Sequence, residues 1–186
     1  MTGTEDWRVR RWAATHRRIF TAALALFEDF GFEQVSVGQI ATAASVSVPT
    51  FYAHYPSKEH LIMALPTAEQ VEALLASQPG ELSVGEKIRR AAPLWFASMP
   101  PDEYEETLLR WRIIAGTPSL RRRAAEFERE TAGMIVGALP TSGTAEVVQA
   151  GAYLAAFTTA LLAWADSGGE RKLDEVFDEA FGALGG

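Results

Sequence analysis

Three histidines (His16, His54, His60) and no cysteine make up the whole stock of imidazole and thiol in this chain of 186 residues. Without thiols there can be no disulfide, zinc–thiolate site, iron–sulfur cluster or thiol nucleophile. No two histidines stand four apart around a glutamate, so the helical metal-hydrolase signature is missing too. The acidic pairs Asp102–Glu103 and Glu105–Glu106 fall at the start of a helical stretch, where carboxylates favour the helix dipole and solvation explains them. Neither metal nor cofactor is expected, and no enzyme chemistry. One residue is locally out of place. Lys58 stands in the first turn of a short helix, where a positive charge opposes the dipole, and a phosphate beside that helix end would reconcile it.

The elements that must position such groups are all helical. Ile19, Ala22, Ala23, Leu26, Phe27 and Phe30 repeat at helical spacing, which predicts a helix from about His16 to Phe30. Gly31 follows as a left-handed stop, with Phe32 closing the cap. Ser36-Val-Gly-Gln39 reads as a capping box opening a short helix with Ile40, Ala41 and Ala44 on one side. Ser47 caps a third helix whose first turn tolerates Pro49 and whose buried face is Phe51 and Tyr55. Pro56 ends it, and Ser57 is expected to cap a fourth helix beginning at Lys58. Two short helices joined by a tight turn and propped by a longer one make a helix-turn-helix.

The run Ser36 to Leu61, and above all Thr50-Phe51-Tyr52-Ala53-His54-Tyr55-Pro56-Ser57-Lys58-Glu59-His60-Leu61, resembles the DNA-binding domain of the TetR family of transcriptional regulators. The stripe from Ile19 to Phe32 is similar to that family's first helix, so the resemblance covers about residues 10–65. Two positions depart from the pattern: Ser45 replaces the usual turn glycine, and Pro49 replaces a small residue. A recognition helix docked in the major groove would aim Val48, Pro49, Thr50 and Ala53 at base edges. Val48, Pro49 and Ala53 offer only apolar contact, for example to a thymine methyl, so specificity is expected to lean on Thr50, His54 and DNA shape. The resemblance implies that Tyr52 donates its hydroxyl to a phosphate. Ser36 with its helix N-terminus suits a second phosphate, and Lys58, Arg17 and Arg18 suit the backbone. For Lys58 the bland alternative is a solvated lysine, for Tyr52 plain packing, and for His54 a solvated ring. Arg8, Arg10 and Arg11 form either an arm reaching the minor groove or a disordered basic tail.

Residues 61–186 read as a helical domain behind the DNA-binding domain of residues 1–60. Turn signals separate a stretch holding Val71, Leu74 and Leu75 from helices over Ser83–Met99, Asp102–Ala115, Ser119–Leu139, Thr144–Asp166 and Leu173–Leu184, with Asp102 as a cap. In the family this region encloses an effector cavity and forms the dimer. Candidate lining residues are Trp95, Phe96, Met99, Leu109, Arg110, Trp111, Ile113, Phe127, Met134 and Phe157, with an ordinary core as the alternative for each. Arg110, Arg112 and Arg121–Arg123 would either hold an anionic ligand, such as a carboxylate or an acyl-CoA phosphate, or pair with Glu126, Glu128 and Glu130 on a solvated face. Gly151, Ala155, Thr159 and Ala163 make a small-residue ridge. Val176, Phe177, Ala180 and Phe181 make an apolar face opposite four carboxylates. Both are expected in a dimer interface, with packing inside one subunit as the alternative.

Charge separates the two parts. Residues 1–60 hold six basic and six acidic side chains, and the remaining 126 hold 11 and 18, so the second part carries the whole net charge of −7. Five of the six positive charges in the first part lie between Arg8 and Arg18. Val147–Ala165 carries no charge over 19 residues, yet its Ala, Gly and Thr content fits a bundle helix better than a membrane span. No apolar leader opens the chain, which gives the cytoplasm as the expected location. The expectation is an all-α dimeric, ligand-responsive regulator binding a near-palindromic double-stranded DNA operator, with no membrane partner. Its rival is a helical binding protein that uses the pocket without DNA.

Overall fold

Caps and stops dictated by single residues divide the chain into its helices. The computed structural model describes residues 3–63 and 66–185, and among them ten α-helices and no strand occur. By contact the chain separates into two compact units, Met1–Met63 and Ala64–Gly186, each described by itself.

The first unit opens with α1 (Gly3–Phe30), followed by a 3-10 turn (Phe32–Gln34), α2 (Val37–Ala43), α3 (Val48–His54) and α4 (Glu59–Ile62). Gly31 stops α1 at φ +79°, a region closed to side chains by the Cβ clash, and Phe32 turns inward onto Phe27 at 5.0 Å between ring centroids. Ile19, Ala23, Phe27, Ile40, Ala41, Ala44, Phe51 and Leu61 form the core, all nearly water-free. The helix begins 13 residues before the start expected at His16. That extra length is not buried as a stripe, since Trp7, Val9 and Trp12 stay about half exposed. Arg8, Arg10 and Arg11 accordingly belong to a helix and are neither an extended arm nor a disordered tail, with Arg11 lying 5.2 Å over the Trp7 ring.

The second unit comprises α5 (Ala68–Ala76), α6 (Val84–Ala97), α7 (Pro101–Gly116), α8 (Pro118–Gly137), α9 (Thr144–Asp166) and α10 (Leu173–Gly182). Thr67 with Gln70, and Ser83 with Glu86, close reciprocal capping boxes at the starts of α5 and α6. The Ser83 hydrogen bonds hold the Glu86 carboxyl below the usual carboxylate range. Asp102 is no cap: α7 starts at Pro101 behind Pro100, because proline's fixed φ suits the first helical position and its missing N–H would be unpaired there.

Helix α9 is the axis of this unit, with α6, α7, α8 and α10 packed against it. It is long and apolar enough to cross a membrane, but its Ala150, Leu154, Ala160, Leu161 and Trp164 are instead buried among those helices. Gly85 lets α6 approach α9 closely, for a Cβ there would stand 2.4 Å from the Tyr153 ring. Phe96, Trp164, Phe177 and Phe181 join in one aromatic core, and Val71, Val84, Ile88, Ile135 and Leu154 in a second cluster.

Candidate nucleic-acid interface

The helix-turn-helix is assembled from short-range hydrogen bonds. Ser36 Oγ accepts from the Gln39 N–H at 3.2 Å, while Gln39 Oε1 accepts from the Ser36 N–H at 2.8 Å. After α2 the chain reverses at Ser45, the single non-glycine residue with positive φ (+53°) among those described, and the Val46 N–H returns to the Ala41 carbonyl at 2.9 Å. Serine tolerates this left-handed geometry less readily than glycine, so the departure at this turn is a strained one. Ser47 caps α3 by accepting from the Thr50 N–H at 3.1 Å, and Pro49 falls in the first turn where no intrahelical donor is lost.

Helix α3 then divides by face. Phe51 and Tyr55 are buried against the core, and the Tyr55 hydroxyl donates to the His16 carbonyl at 3.2 Å. Val48, Pro49, Tyr52 and Ala53 point outward, Tyr52 with 52% of its surface open. Thr50 is half-buried, with its hydroxyl 2.7 Å from that of Ser47. The two ends of the expected site are arranged differently from the expectation.

His54 does not face outward. Its ring lies 4.8 Å from Trp12 and 5.7 Å from His16, and His16 in turn stacks on Tyr55 at 4.2 Å and on Trp12 at 4.8 Å. Both Nδ1 atoms are buried without a hydrogen-bond partner. Burial pushes both imidazoles down from their ordinary pKa, and for His16 the neighbouring His54 adds to the effect. The group is an aromatic clamp fastening the recognition helix to α1. Trp12 and His16 went unnoticed as functional positions in the sequence, although their spacing of four continues the stripe of Ile19 and Ala23.

Lys58 has found partners inside the fold. Its Nζ donates to the Phe32 carbonyl at 2.7 Å and to the Val35 carbonyl at 2.9 Å, and stands 4.1 Å above the Phe32 ring. The charge that opposes the α4 dipole therefore ties α4 to the 3-10 turn, and the phosphate expected beside it is not needed to account for it. Ser57 also departs from expectation: its hydroxyl donates to Glu59 Oε2 at 2.6 Å instead of capping a backbone N–H, and α4 begins behind Lys58. Arg17 and Arg18 lie exposed on α1, where the Arg18 Nε–H donates to the Ala44 carbonyl at 2.8 Å, holding α1 to the end of α2.

In the second unit four of the expected ligand residues, Phe96, Met99, Trp111 and Phe157, belong to one hydrophobic cluster. An open depression of about 330 Å³ lies between the end of α6, the start of α7 and the α9–α10 loop, and of the ten expected lining residues only Phe96 borders it. Tyr104, Arg171, Lys172 and Asp174 border it as well, with burial and then Asp174 pushing the Tyr104 phenol up. Trp95 does not border it and is 54% exposed, because α6 turns Phe96 into the core and so its neighbour to solvent. Phe127 is buried, and Met99, Leu109, Arg110, Trp111, Ile113, Met134 and Phe157 are half-buried. Arg121 forms a two-pronged ion pair with Asp166 at 2.8 and 3.0 Å, and Arg123 pairs with Glu126 while covering the Phe127 ring.

The expected dimer surface splits in two. Val176, Phe177 and Phe181 are buried in the subunit's own core, Phe177 stacked between Phe157 and Phe181 at 5.6 and 5.7 Å, so this face of α10 is intramolecular. Ala180 is half-buried beside it. On α9, Ala155 and Thr159 are exposed while Gly151 and Ala163 are half-buried, a ridge left at the surface.

Comparison with known proteins follows the same division. The family model of bacterial regulatory proteins, tetR family, matches residues 19–65, and that of the MftR C-terminal domain matches residues 82–186. The MftR protein of Mycobacterium tuberculosis, named for regulation of mycofactocin biosynthesis, is 31% identical over 118 residues, covering 60% of this chain and 57% of its own. The HTH-type transcriptional repressor KstR of Mycolicibacterium smegmatis is 39% identical over 62 residues, covering 33% of this chain and 28% of its own. The chain thus spans little more than half of the first relative and about a quarter of the second. Among solved structures, NalD of Pseudomonas aeruginosa, secondary repressor of a multidrug efflux pump, superposes with a TM-score of 0.60 at 19% identity, covering 92% of this chain and 94% of its own. Thermus thermophilus FadR, solved with lauroyl-CoA, superposes with a TM-score of 0.51 at 23% identity, covering 91% and 92%. At those identities the two structures establish the fold.

Proposed function

This chain belongs to the TetR family of bacterial regulatory proteins, and from that premise we propose that it is a ligand-responsive transcriptional repressor. It binds a near-palindromic double-stranded operator as a homodimer in the cytoplasm, and a small-molecule effector acting on the second unit weakens that binding. The observation that carries the reading is α3 itself: a helix capped and buried on one face, whose other face presents Val48, Pro49, Tyr52 and Ala53 to the outside. Such a helix suits the major groove, where its N-terminal residues meet base edges.

Phosphate contact falls to the Tyr52 hydroxyl, to Ser36 at the start of α2 and to Arg17 and Arg18 on α1. Thr50 sits at the edge of the reading face. Lys58 is left out of the contact set because its ammonium is bonded to two carbonyls inside the unit, and His54 because its ring packs against Trp12. Arg18, exposed on α1, engages its Nε–H with the Ala44 carbonyl. The dimer contact falls to the surface ridge of Gly151, Ala155, Thr159 and Ala163 on α9, where small side chains permit close approach of a second helix. KstR and NalD are named repressors, and FadR was solved with an acyl-CoA, which supports both the sign of regulation and the kind of effector. An effector acts by binding one arrangement of the dimer better than another and so shifting the population able to hold DNA.

The test is fluorescence anisotropy against genomic fragments selected by the protein. The regulator reading expects a steep fall of affinity with salt, and Tyr52→Phe weakening binding with an unchanged melting temperature. Binding without salt dependence would refute it.

A further inference from the structure

We propose that this protein reads thymine: its recognition helix recognises operator bases by apolar contact with their C5-methyl groups and makes no hydrogen-bonded base readout. The inference rests on the DNA-binding reading above and concerns the chemistry of the bases that α3 accepts. Every residue of α3 is accounted for. The sequence Val48-Pro49-Thr50-Phe51-Tyr52-Ala53-His54 contains no guanidinium, ammonium, amide or carboxylate. Those are the groups that read guanine, adenine and cytosine edges in the major groove.

Two side chains of the helix, and one just past its end, carry a hydrogen-bonding group besides the outermost tyrosine. Thr50 is half-buried with its hydroxyl 2.7 Å from the Ser47 hydroxyl. His54 is drawn into the clamp with Trp12 and His16. Tyr55, just past the helix end, is buried and donates to the His16 carbonyl. On the preceding helix the Gln39 amide oxygen closes the capping box and the Thr42 hydroxyl donates to the Gly38 carbonyl at 2.9 Å, and the inference concerns α3 alone. What remains outward on α3 is the Val48 isopropyl group, the Pro49 ring, the Ala53 methyl and the Tyr52 ring with its hydroxyl.

The four base pairs differ in what they offer such a surface. Guanine, adenine and cytosine present only donors and acceptors in the major groove, which an apolar face would strip of water without replacing the bonds lost. Thymine alone presents a methyl group. A surface of Val48, Pro49 and Ala53 therefore gains by burying thymine methyls and loses at the other bases. The exposed polar group of α3 itself, the Tyr52 hydroxyl, is assigned above to phosphate.

The experiment uses the full chain and a random duplex library, enriched through rounds of binding and then re-amplified with deoxyuridine, or with 5-bromodeoxyuridine, in place of thymidine. Uracil keeps every hydrogen-bonding group of thymine and lacks only the methyl, while bromine restores its bulk. The expected result is at least a tenfold loss of affinity for the uracil pool, recovery to within about threefold for the bromouracil pool, and the same salt slope for all three, since phosphate contacts are untouched. Val48→Ala, at an exposed position, is expected to weaken binding to the thymine pool and to narrow the thymine-to-uracil ratio. A uracil pool bound within twofold of the thymine pool, or a ratio unmoved by Val48→Ala, overturns the inference and leaves the regulator reading standing. Failure to enrich any duplex overturns the regulator reading, and the inference with it.

Discussion

Lys58 admits two physical accounts with opposite experimental signatures, and Lys58→Met separates them. Methionine keeps the apolar stem over the Phe32 ring and removes the ammonium. In the fold that ammonium makes two charge-assisted hydrogen bonds, at 2.7 and 2.9 Å, and a cation–π contact at 4.1 Å. Hydrogen bonds to a charged group contribute about 1.5–3 kcal/mol each, and a cation–π contact about 0.5–1 kcal/mol. The site is half-buried, so water can replace part of what is lost, and about 2 kcal/mol of net destabilisation is the expected remainder. For a chain of this length that lowers the melting temperature by about 4–8 °C. A phosphate contact predicts something else: a salt slope reduced by about 0.9 per contact, hence about 1.8 for a dimer, with the melting temperature unchanged. Thermal melting followed by circular dichroism and anisotropy at four salt concentrations measure both quantities on one sample. An unchanged melting temperature with a slope lower by nearly two would refute the assignment of Lys58 to the fold.

Three further outcomes follow from the geometry. Ser45→Gly relieves the positive φ at the turn and should raise stability by about 1 kcal/mol, read as a shift in the urea midpoint; a lower midpoint would mean that serine is preferred there. Gly85→Ala places a Cβ against the Tyr153 ring and should cost about 1–3 kcal/mol by the same measurement, whereas a neutral result would show that the ring swings aside freely. His16 and His54 are both held below their ordinary pKa, so the unfolded chain binds more protons than the fold. Their contribution is therefore present above about pH 6.5 and lost as pH falls through that value towards the folded ones. The melting temperature should drop on acidification from pH 7.5 to 5.5, less steeply in His16→Phe/His54→Phe, and a rise on acidification would contradict the clamp.

Helix starts at Ser36, Ser47 and Ser83 and the stop at Gly31 were legible in the sequence because their causes are local, whereas the starts of α1, α4 and α7 were not. A serine accepts from an N–H three residues on, a stripe recurs every three or four positions, and a glycine or proline ends it. The same reasoning located α3 and its inward pair Phe51 and Tyr55, along with the turn position at Ser45. It did not find the partners of His54 and Lys58, which come from other helices. The carbonyls bound by Lys58 are 23 and 26 residues away, and no periodicity reports a contact of that range. The α10 face shows a second kind of gap. Amphipathicity says that Val176, Phe177 and Phe181 are buried but is silent on whether a neighbouring helix or a second subunit buries them. Only the packing against Phe96, Phe157 and Trp164 decides it.

The distribution of charge and the chemistry of α3 bear on one another. A net charge of −7 argues against a polyanionic partner only if it is spread evenly, and here residues 1–60 are neutral. Within them five of the six positive side chains sit on α1, at Arg8, Arg10, Arg11, Arg17 and Arg18, while α3 carries no Lys, Arg, Asp or Glu. Under the proposed function the charged attraction to phosphate therefore resides on α1 and discrimination among bases on α3, whose Tyr52 hydroxyl adds one neutral phosphate contact. An arginine on a recognition helix serves both purposes, so weakening one weakens the other. Dividing the two leaves the reading face free of ionic attraction, and on this proposal a duplex that offers no methyl to Val48, Pro49 and Ala53 gains only the Tyr52 contact from α3. On this proposal selectivity grows with the number of thymines met, and in the proposed dimer two copies of the helix, each meeting its own half-site, multiply it.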